Sequence, residues 1–486
     1  MSRSRICVVG GGGYVGLGYA VCLAEMGHEV VGLDIDAERV VRLNQGESPL
    51  FEAGLLPLLQ RGLTAGRLRF TTDYADALRG AEFALLCTGT PSLSDGEADL
   101  RQVRAAAAAI GANLDPACST IVVNKSTMPV GSAELVATLV SEHAPPGTDT
   151  RVVSNPEFLQ EGRVVPDILR PDRIVLGADD LAAMDRVAAL YAPLGAPILR
   201  TDHRSAEMVK YAANAFLATK ISFANDIARL CERLGADITV VSAGIGLDPR
   251  IGPRFLHAGL GFGGSCFPKD VGALTRMADE AGLHPGLLRA VLEINAEARR
   301  RFVVRASELL AGLDGKVIAI WGLAFKEGTD DLRESPALAV IEGLLERGAT
   351  IRAHDPEAME NAARRLPGQV LLCPDPVTAA TGADAVLLCT PWPEYRSLSF
   401  ERVAAVMRGD LILDGRNLLQ PETIAAAGLR YEGIGRGRHR LPTPPRPQGL
   451  ISASANDDRT AAKATWSARS EPTTPIANTT EVGLPG

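Results

Sequence analysis

A glycine-rich turn near the N-terminus constrains the fold of this chain more than any other feature. Residues 11–16 read Gly-Gly-Gly-Tyr-Val-Gly and fit the pattern G-x-G-x-x-G. They follow a short apolar run at residues 6–10 and open a helical segment that continues through Glu25. Asp34 ends a second apolar run, about 20 residues after Gly13. This order of strand, glycine turn, helix, strand and acid predicts a Rossmann unit that binds a dinucleotide.

The chemistry of this turn distinguishes between the dinucleotides NAD and NADP. Glycines allow the backbone to approach a pyrophosphate, and the N-terminus of the following helix offers free N–H groups. Asp34 would accept hydrogen bonds from the ribose hydroxyls of adenosine and would repel a 2′-phosphate. The turn therefore predicts NAD rather than NADP. A glycine turn without a ligand is the alternative, which the strand–helix context disfavours.

The same alternation of strand and helix signals returns near residue 315. An apolar run at residues 317–321 precedes Gly322, a helical segment at 337–347 and a further apolar run at 349–353. One strand repeats almost literally, as GAEFALLCT at residues 80–88 and GADAVLLCT at 382–390. We therefore predict an α/β protein with two Rossmann-like domains, each built on a parallel sheet.

The region between these domains has a different character. Residues 205–234 contain no Gly or Pro and predict a single helix of about 30 residues, roughly 45 Å long. Such a length predicts a connector between domains or a dimer interface. The residues expected to supply its buried faces are Met208, Phe216, Ile227, Leu230 and Leu234.

Charge and cysteine content exclude several classes of protein. The net charge is −8, and no long Lys/Arg run is present, which argues against nucleic acid and anionic membrane as partners. No apolar stretch approaches the roughly 18 residues that a membrane helix needs. The 8 cysteines are scattered without a CxxC pair. This pattern predicts reduced thiols in the cytoplasm, with neither a disulfide framework nor a metal site.

One cysteine lies in a segment with chemical potential, Gly263-Gly-Ser-Cys266-Phe-Pro268-Lys269-Asp270. Pro268 suits the first turn of a helix, which places Cys266 near the helix N-terminus, where the dipole favours a thiolate. Lys269 adds positive charge and Asp270 opposes it. The surroundings favour a nucleophile, although a buried cysteine beside a helix cap is the alternative.

Three further segments concentrate polar groups. KSTMPVG at residues 125–131 follows a strand, where α/β sheets place their ligands. NPEFLQEG at 155–162 carries two carboxylates, Glu157 and Glu161. Lys210 and Asn214 share one helical face because they are four residues apart. Each segment alone is typical of a solvated surface, and spacing does not bring the three together.

With these residues in view, the chain resembles the UDP-glucose/GDP-mannose dehydrogenase family over about residues 5–438. The resemblance implies two Rossmann-like domains flanking a central helical dimerisation region. It also implies oxidation of the C6 alcohol of a nucleotide sugar to the acid, with two NAD⁺ reduced. A thiolate can add to the intermediate aldehyde, and oxidation of the thiohemiacetal gives a thioester. Its eight motifs, in the family's order, are GGGYVGL, CTGTP, KSTMPVGS, NPEFLQEG, EMVKYAANAF, FGGSCFPKD, GLAFKEGTDDLRESP and DGRN.

The resemblance also divides the chain. It implies an NAD-binding Rossmann domain at residues 1–200 and a central helical dimerisation domain with the cysteine loop at 201–300. A Rossmann-like domain that binds the nucleotide sugar follows at 301–440. Residues 441–486 are rich in Pro, Thr, Ser and Ala and predict a disordered tail.

The resemblance implies a role for each catalytic residue. Cys266 is the nucleophile, Glu161 the general base of hydrolysis, and Glu157 supports the same network. The oxyanion is stabilised by Lys210 and Asn214, which suits a cation and an amide donor. The water is held by Thr127 and Asp270.

Cofactor and substrate contacts transfer by the same resemblance. The cofactor contacts are Gly11, Gly13, Tyr14, Val15, Gly16, Asp34, Arg39, Thr90, Thr127, Glu161, Lys269 and Arg333. The substrate contacts are Glu157, Phe158, Leu159, Glu161, Lys210, Asn214, Arg250, Phe255, Gly259, Gly263, Lys326 and Arg416, of which Arg250 crosses from a partner subunit. The segment Phe51-Glu52-Ala53-Gly54 has alanine where the family commonly has proline, and we expect it not to touch the chemistry.

Several readings compete at this point. NPEFLQEG and the PDRIVLG that follows favour UDP-glucose, with UDP-N-acetylmannosamine and GDP-mannose as rival substrates. A two-electron β-hydroxyacid dehydrogenase would need neither Cys266 nor a second Rossmann unit. An NAD-binding regulatory protein would be expected to lose Cys266, Lys210 or Asp270, and the chain has all three. We expect a homodimer or a higher homo-oligomer.

Asp34 generates a prediction about cofactor choice. Repulsion between its carboxylate and a 2′-phosphate should give NAD⁺ a preference of at least about tenfold, equivalent to about 1.4 kcal/mol. The measurement is kcat/KM with NAD⁺ and with NADP⁺ under the same conditions. Equal values for the two cofactors would remove Asp34 from the role given to it here.

Overall fold

Two sheets, each with a set of helices, and a group of long helices make up the part of the chain that the structure describes. The structure is a computed structural model, and it describes residues 3–93 and 96–437. The predicted tail at residues 441–486 lies outside the described residues. The two sheets contain eight and six strands.

The first sheet has the strand order β3-β2-β1-β4-β5-β6-β7-β8, whose first six strands follow the Rossmann order. Its neighbours are parallel except β6 and β7, which meet in an antiparallel contact at Ser154 and Gly177. The strands are β1 (Arg5–Val9), β2 (Glu29–Leu33), β3 (Leu68–Thr71), β4 (Phe83–Leu86), β5 (Ile121–Asn124), β6 (Arg151–Ser154), β7 (Ile174–Gly177) and β8 (Ile198–Thr201). The helices are α1 (Tyr14–Glu25), α2 (Ala37–Asn44), α3 (Leu55–Thr64), α4 (Tyr74–Leu78), α5 (Arg101–Ala112), α6 (Ser132–His143), α7 (Val164–Leu169) and α8 (Leu181–Tyr191), with a 3₁₀ turn at Ala192–Leu194.

The central strands of this sheet are buried on both faces. Every residue of β4 and β5 is buried, which is why these strands appear in the sequence as continuous apolar runs and not as alternating patterns. Helix α1 packs so closely on the end of β1 that a Cβ on Gly16 would lie 2.1 Å from the Gly10 carbonyl oxygen. Only glycine fits there.

Four helices lie between the two sheets in the chain. They are α9 (His203–Leu234), α10 (Ile238–Gly246), α11 (Phe267–Glu280) and α12 (Gly286–Leu309). Helix α9 has 32 residues, close to the predicted span.

Within the single chain, four of the five residues predicted for the buried faces of α9 are exposed, whereas Ile227 is partly buried. Phe216 is 66% exposed and Leu234 78% exposed, and Met208 and Leu230 are also exposed. The buried positions carry small or polar side chains instead, such as Ala218 and Ser222, whose hydroxyl donates to the Val291 carbonyl of α12 at 2.8 Å. Close contact with α11 and α12 leaves room only for small residues, so the large apolar side chains point outward.

The second sheet is parallel throughout, with the order β11-β10-β9-β12-β13-β14. The repeated sequence forms β4 in the first sheet and β12 in the second. β4 pairs with β1 and β12 pairs with β9, the strand that comes first in the chain in each sheet. The strands are β9 (Val317–Trp321), β10 (Thr350–His354), β11 (Leu371–Leu372), β12 (Ala385–Leu388), β13 (Leu411–Asp414) and β14 (Arg430–Gly433). The helices are α13 (Pro336–Leu345), α14 (Met359–Arg365), α15 (Pro376–Ala380), α16 (Phe400–Val406) and α17 (Pro421–Ala426), with a 3₁₀ turn at Pro393–Ser397.

The predicted fold class is thus confirmed: two Rossmann-like units are separated in the chain by a helical region. Within the described residues, no helix has both the length and the apolar character needed to cross a membrane. The same residues contain no group of three or more His, Cys, Asp or Glu side chains arranged to hold a metal ion.

Candidate active site

The glycine turn has the geometry that a dinucleotide requires. A Cβ on Gly11 would lie 2.7 Å from Gly32 Cα, so the turn lies directly on the backbone of β2. Helix α1 begins after Gly13 with no side chain capping its first N–H groups. These amides are free to bind a pyrophosphate, in keeping with the positive end of the helix dipole. The residues present therefore fit NAD.

Asp34, predicted to contact the adenosine ribose, lies beside the glycine turn. It is buried at the end of β2, and its Oδ2 accepts a hydrogen bond from Gly12 N at 3.0 Å. The Arg39 guanidinium lies 3.4 Å from Asp34 Oδ1 and 3.3 Å from Asp36 Oδ2. Arg39 therefore lies beside the same end of the turn, and its role as a cofactor contact stays a prediction.

Thr90 and Thr127 meet at the carboxyl ends of neighbouring strands. Thr90 follows β4 and Thr127 follows β5, and the Thr90 hydroxyl donates to the Thr127 carbonyl oxygen at 2.7 Å. Parallel strands place their carboxyl ends at one edge, which is where open α/β sheets bind ligands.

Cys266 lies at the start of α11, as its sequence predicted. It is the residue before Phe267, and Pro268 occupies the first turn. The expectation of a favoured thiolate is wrong, however. Burial and the nearby Glu157 carboxylate raise the pKa of the Cys266 thiol, against the opposing charge of Lys210. Lys269 Nζ pairs with Asp270 Oδ1 at 2.6 Å, so Asp270 opposes the positive charge of Lys269.

A buried ion pair lies beside this thiol. Lys210 Nζ of α9 is 3.1 Å from Glu157 Oε1, and both side chains are less than a tenth exposed. The other carboxylate oxygen of Glu157 accepts from Leu159 N at 2.6 Å. Burial opposes the charge on each group, but the partner outweighs it: the pKa of Glu157 is lowered and that of Lys210 is raised. Both groups are therefore charged at neutral pH.

Asn214 completes this face of α9. Its Nδ2 donates to Asp270 Oδ2 at 2.6 Å, so the helix that carries Lys210 and Asn214 is tied to the helix that follows Cys266. The structure thus brings together Lys210, Asn214, Asp270, Glu157 and Cys266, which spacing in the sequence left separate.

Glu161 has a different environment from Glu157. Its Oε1 accepts from Ser265 Oγ at 2.9 Å and lies 3.4 Å from Arg333 Nη2. Burial and the charge of Asp331 raise the pKa of Glu161 to about 7, against the influence of Arg333. A carboxylate with this pKa exchanges protons readily at neutral pH, which suits a general base.

Two of the predicted substrate residues, Lys326 and Arg416, donate hydrogen bonds to backbone carbonyl oxygens. Lys326 Nζ donates to the Glu161 carbonyl oxygen at 2.5 Å. Arg416 is held by the carbonyl oxygens of Cys389 and Gly261, while its Nη2 is buried without a partner. An unpartnered buried donor is costly, and a bound ligand or a water is one way to satisfy it.

The cysteine loop itself is tightly constrained. Phe255 has φ of 65°, unusual for a non-glycine residue, and its ring lies 6.2 Å from that of Phe267, the residue after Cys266. A Cβ on Gly259 would lie 2.5 Å from the Gly415 carbonyl oxygen, and one on Gly263 would lie 2.2 Å from that of Glu334. Phe158, also predicted to contact substrate, has Lys210 Nζ 5.5 Å from its ring centre.

Arg250 is placed differently from the other predicted residues. It follows α10, its side chain is 87% exposed, and it pairs with Asp248 of the same turn at 2.6 Å. An exposed side chain at this position suits a residue that acts outside its own subunit. The contact of Arg250 with the site of a partner subunit stays a prediction.

Two residues gained importance only from the structure. Ser265 Oγ lies 3.6 Å from Cys266 Sγ and also bonds Glu161, so it bridges the nucleophile and the predicted base. Its position beside the cysteine was the available signal. Glu52 is the second: its Oε1 accepts a hydrogen bond from Gly162 N, next to Glu161.

These features define the class of protein. A dinucleotide turn, a thiol at a helix start, a buried lysine and a carboxylate with a pKa near 7 fit a nicotinamide-dependent dehydrogenase. Residues 4–195, 204–297 and 319–421 match the NAD binding domain, the central domain and the UDP binding domain of the UDP-glucose/GDP-mannose dehydrogenase family. The chain belongs to this family, so the family and the NAD cofactor predicted from the sequence are confirmed.

Individual relatives agree with this assignment. The UDP-glucose 6-dehydrogenase of Pseudomonas aeruginosa is 46% identical over 446 residues, covering 89% of this chain and 98% of its own. The structure of a UDP-glucose dehydrogenase from Pyrobaculum islandicum is 42% identical with a TM-score of 0.83, covering 89% and 98%. That of a UDP-D-ManNAc dehydrogenase from Pyrococcus horikoshii is 30% identical with a TM-score of 0.79, covering 89% and 99%.

The buried ion pair generates a prediction about stability. Lys210→Met would leave the Glu157 carboxylate buried and unpaired, and should lower the free energy of unfolding by about 3–5 kcal/mol. Adding Glu157→Gln removes the uncompensated charge and should recover much of this loss. Urea unfolding of the single and double variants measures both.

Arg204→Ala is the matched control, since Arg204 lies on the same helix and pairs with Glu134 at the surface. Its cost should stay below about 1 kcal/mol. A Lys210→Met cost no larger than that of the control would show that the Lys210–Glu157 pair is not closed off from water.

Proposed function

We propose that this chain is an NAD-dependent enzyme that oxidises the C6 alcohol of UDP-glucose to the carboxylate of UDP-glucuronate. The observation that carries the proposal is the placement of Cys266 beside the Lys210–Glu157 pair and the Asn214–Asp270 bond. A two-electron hydroxyacid dehydrogenase would not need this thiol. In this proposal, residues 1–200 bind NAD, 201–300 form the helical dimerisation domain and 301–440 bind the nucleotide sugar.

The protein's groups divide the work of the reaction. NAD⁺ serves as the two-electron acceptor in each of the two oxidations. Lys210 and Asn214 stabilise negative charge on the C6 oxygen, since one supplies a buried cation and the other an amide N–H. The Glu157 carboxylate keeps Lys210 protonated and in place. Phe255, Gly259 and Gly263 shape the loop around the sugar.

Cys266 makes the second oxidation possible. Its thiol adds to C6 of the aldehyde, forming the C–S bond of a thiohemiacetal, and the thiol proton must leave during the addition. Ser265 bonds Glu161 and lies 3.6 Å from the sulfur, so we propose that the proton passes through Ser265 to Glu161. Oxidation then yields the thioester.

Hydrolysis releases the product. We propose that Glu161 first loses the thiol proton to solvent, that Thr127 and Asp270 hold the attacking water, and that Glu161 then accepts a proton from this water. Glu157 is the weaker candidate for this base, because Lys210 holds its pKa low. The tetrahedral intermediate then collapses with cleavage of the C–S bond, and Glu161 returns its proton through Ser265 to the Cys266 sulfur.

Substrate choice rests on two observations. The chain matches the family's UDP binding domain, and its 46% and 42% identity to two proteins named for UDP-glucose exceeds its 30% identity to the UDP-D-ManNAc dehydrogenase from Pyrococcus horikoshii. Arg416 and Lys326 suit the diphosphate, because arginine binds phosphate oxygens in pairs and lysine binds them as a point charge. UDP-N-acetylmannosamine and GDP-mannose are the rivals in the test.

Assembly is a further part of the proposal. Met208, Phe216, Phe223, Leu230 and Leu234 expose large apolar side chains along α9. Such a stripe supports pairing with a second copy of the chain, which the exposed Arg250 would join by reaching the partner's site. We also propose a cytoplasmic location, where Cys266 would stay reduced.

Cys266 gives the decisive test of the chemistry. Wild-type enzyme should form about two NADH per UDP-glucose consumed and should prefer UDP-glucose to the two rival sugars. Cys266→Ser replaces the thiol with a hydroxyl of far higher pKa, and any ester it forms is less activated than a thioester. Intact-protein mass spectrometry should therefore show an adduct on the serine variant, with turnover largely lost.

Cys266→Ala is the matched control, because it cannot form an adduct and should release no uronic acid at a useful rate. One NADH per sugar, or near-normal acid formation by the alanine variant, would contradict the covalent mechanism and favour a two-electron dehydrogenase. Faster oxidation of another nucleotide sugar would reassign the substrate alone.

Hybrid oligomers test the proposed role of Arg250. Arg250→Ala should lower activity, and so should Cys266→Ala. If Arg250 acts in the partner's site, a dimer with one variant of each kind regains one intact site. Mixing the two chains after partial unfolding should then restore part of the activity, measured by NADH formation. No recovery, or a fully active monomer in light scattering, would contradict the proposal.

A further inference from the structure

The peptide unit between Glu161 and Gly162 is held by charged side chains at both ends. Lys326 Nζ donates to the Glu161 carbonyl oxygen at 2.5 Å. The Gly162 N–H donates to Glu52 Oε1 and also lies 3.2 Å from the Tyr14 hydroxyl. A peptide unit is planar, with its C=O and N–H on opposite edges, so these contacts fix its orientation.

The turn has little freedom to adjust. Gly162 has φ of 80°, and a Cβ there would lie 2.7 Å from the Gly328 carbonyl oxygen. The turn is therefore pressed against the loop that carries Lys326. On its other side, the second oxygen of Glu52 accepts from Val164 N, the first residue of α7, at 3.3 Å.

Glu52 comes from a distant part of the chain, 110 residues before Gly162. Its side chain is buried, and burying a carboxylate is costly unless hydrogen bonds compensate. The compensating donors identified for Glu52 are both backbone N–H groups of the Glu161 turn and α7. A buried carboxylate with these two hydrogen bonds holds the backbone of the Glu161 turn and the start of α7 in place.

We propose that Glu52 is a positioning residue for Glu161: together with Lys326 it clamps the Glu161–Gly162 peptide and so holds the Glu161 carboxylate against Ser265, beside Cys266. The proposal rests on the proposed function only for the role of base given to Glu161. It assigns Glu52 no contact with substrate.

The pKa of Glu161 supplies a measurement that would not change if Glu52 served only the stability of the fold. The charged groups that face its carboxylate are Asp331, Arg333 and Lys326, and the hydroxyls of Ser265 and Thr329 complete the set. Burial is the main cause of its raised pKa. Releasing the clamp would let the carboxylate move toward water, and its pKa would return toward the usual value of about 4.3.

The experiment compares Glu52→Ala, Glu52→Gln and a control, Glu47→Ala. Glu47 lies in the same segment, but it is exposed and pairs with Arg42. Infrared spectroscopy follows protonation of the Glu161 carboxyl against pH in the protein alone, with Glu161→Gln identifying its band. Steady-state kinetics with UDP-glucose and NAD⁺ give kcat and KM for each variant.

In wild-type protein and Glu47→Ala, we expect Glu161 to titrate near pH 7. In Glu52→Ala its titration should move at least about one pH unit toward acid. Because misplacing a catalytic group by about 1 Å can cost a factor of about 100, kcat should fall about 10- to 100-fold with little change in KM. Glu52→Gln keeps an acceptor for the Gly162 N–H and should retain more activity.

An unchanged Glu161 titration in Glu52→Ala would overturn the clamp, and so would a rise in KM at constant kcat. Should Glu52→Ala fail to fold, Glu52→Gln decides: loss of one of the two acceptors should still move the Glu161 titration toward acid, by less than in the alanine variant, and an unchanged titration would overturn the clamp. The infrared titration uses no substrate. Failure of wild-type enzyme to oxidise UDP-glucose would therefore defeat the proposed function, while the titration still decides the clamp.

Discussion

The site is organised around the ion pair between Lys210 and Glu157. Two charges at 3.1 Å and largely closed off from water are costly to bury, and either one alone would be more costly still. The pair therefore requires the strand end that carries Glu157 and the helix that carries Lys210 to meet in one way. Asn214 lies one turn further along α9 and reaches Asp270, which locates the start of α11 and with it Cys266. The arrangement of the nucleophile follows from this chain of contacts.

Local sequence signals predicted the secondary structure well. The dinucleotide turn, strand β9 and the span of α9 were all predictable, because glycines, apolar runs and the absence of helix breakers act over short distances. The family resemblance then supplied the site residues. What the sequence did not predict was which face of α9 is buried. That depends on how closely α11 and α12 approach, and close approach selects alanine and serine over phenylalanine and leucine.

The roles of Ser265 and Glu52 were hidden for a related reason. Ser265 meets Glu161 across 104 residues of sequence, and Glu52 meets Gly162 across 110. Neither the motif around the cysteine nor the Phe-Glu-Ala-Gly segment indicates which distant turn its side chains will contact. The charge state of Cys266 was likewise unpredictable, because helix position favours the thiolate while burial and Glu157, seen only in three dimensions, favour the thiol.

The raised pKa of the Cys266 thiol affects how readily the enzyme is oxidised between turnovers. Peroxide attacks thiolates, and it converts them first to sulfenic acid and then to forms that cannot be repaired. A sulfur that rests as the neutral thiol is a poor target for this damage. In the proposed mechanism, the Cys266 thiol reacts only when an aldehyde is in place and a base can take the proton. The same burial that raises the pKa of the thiol would therefore also limit oxidation of the sulfur.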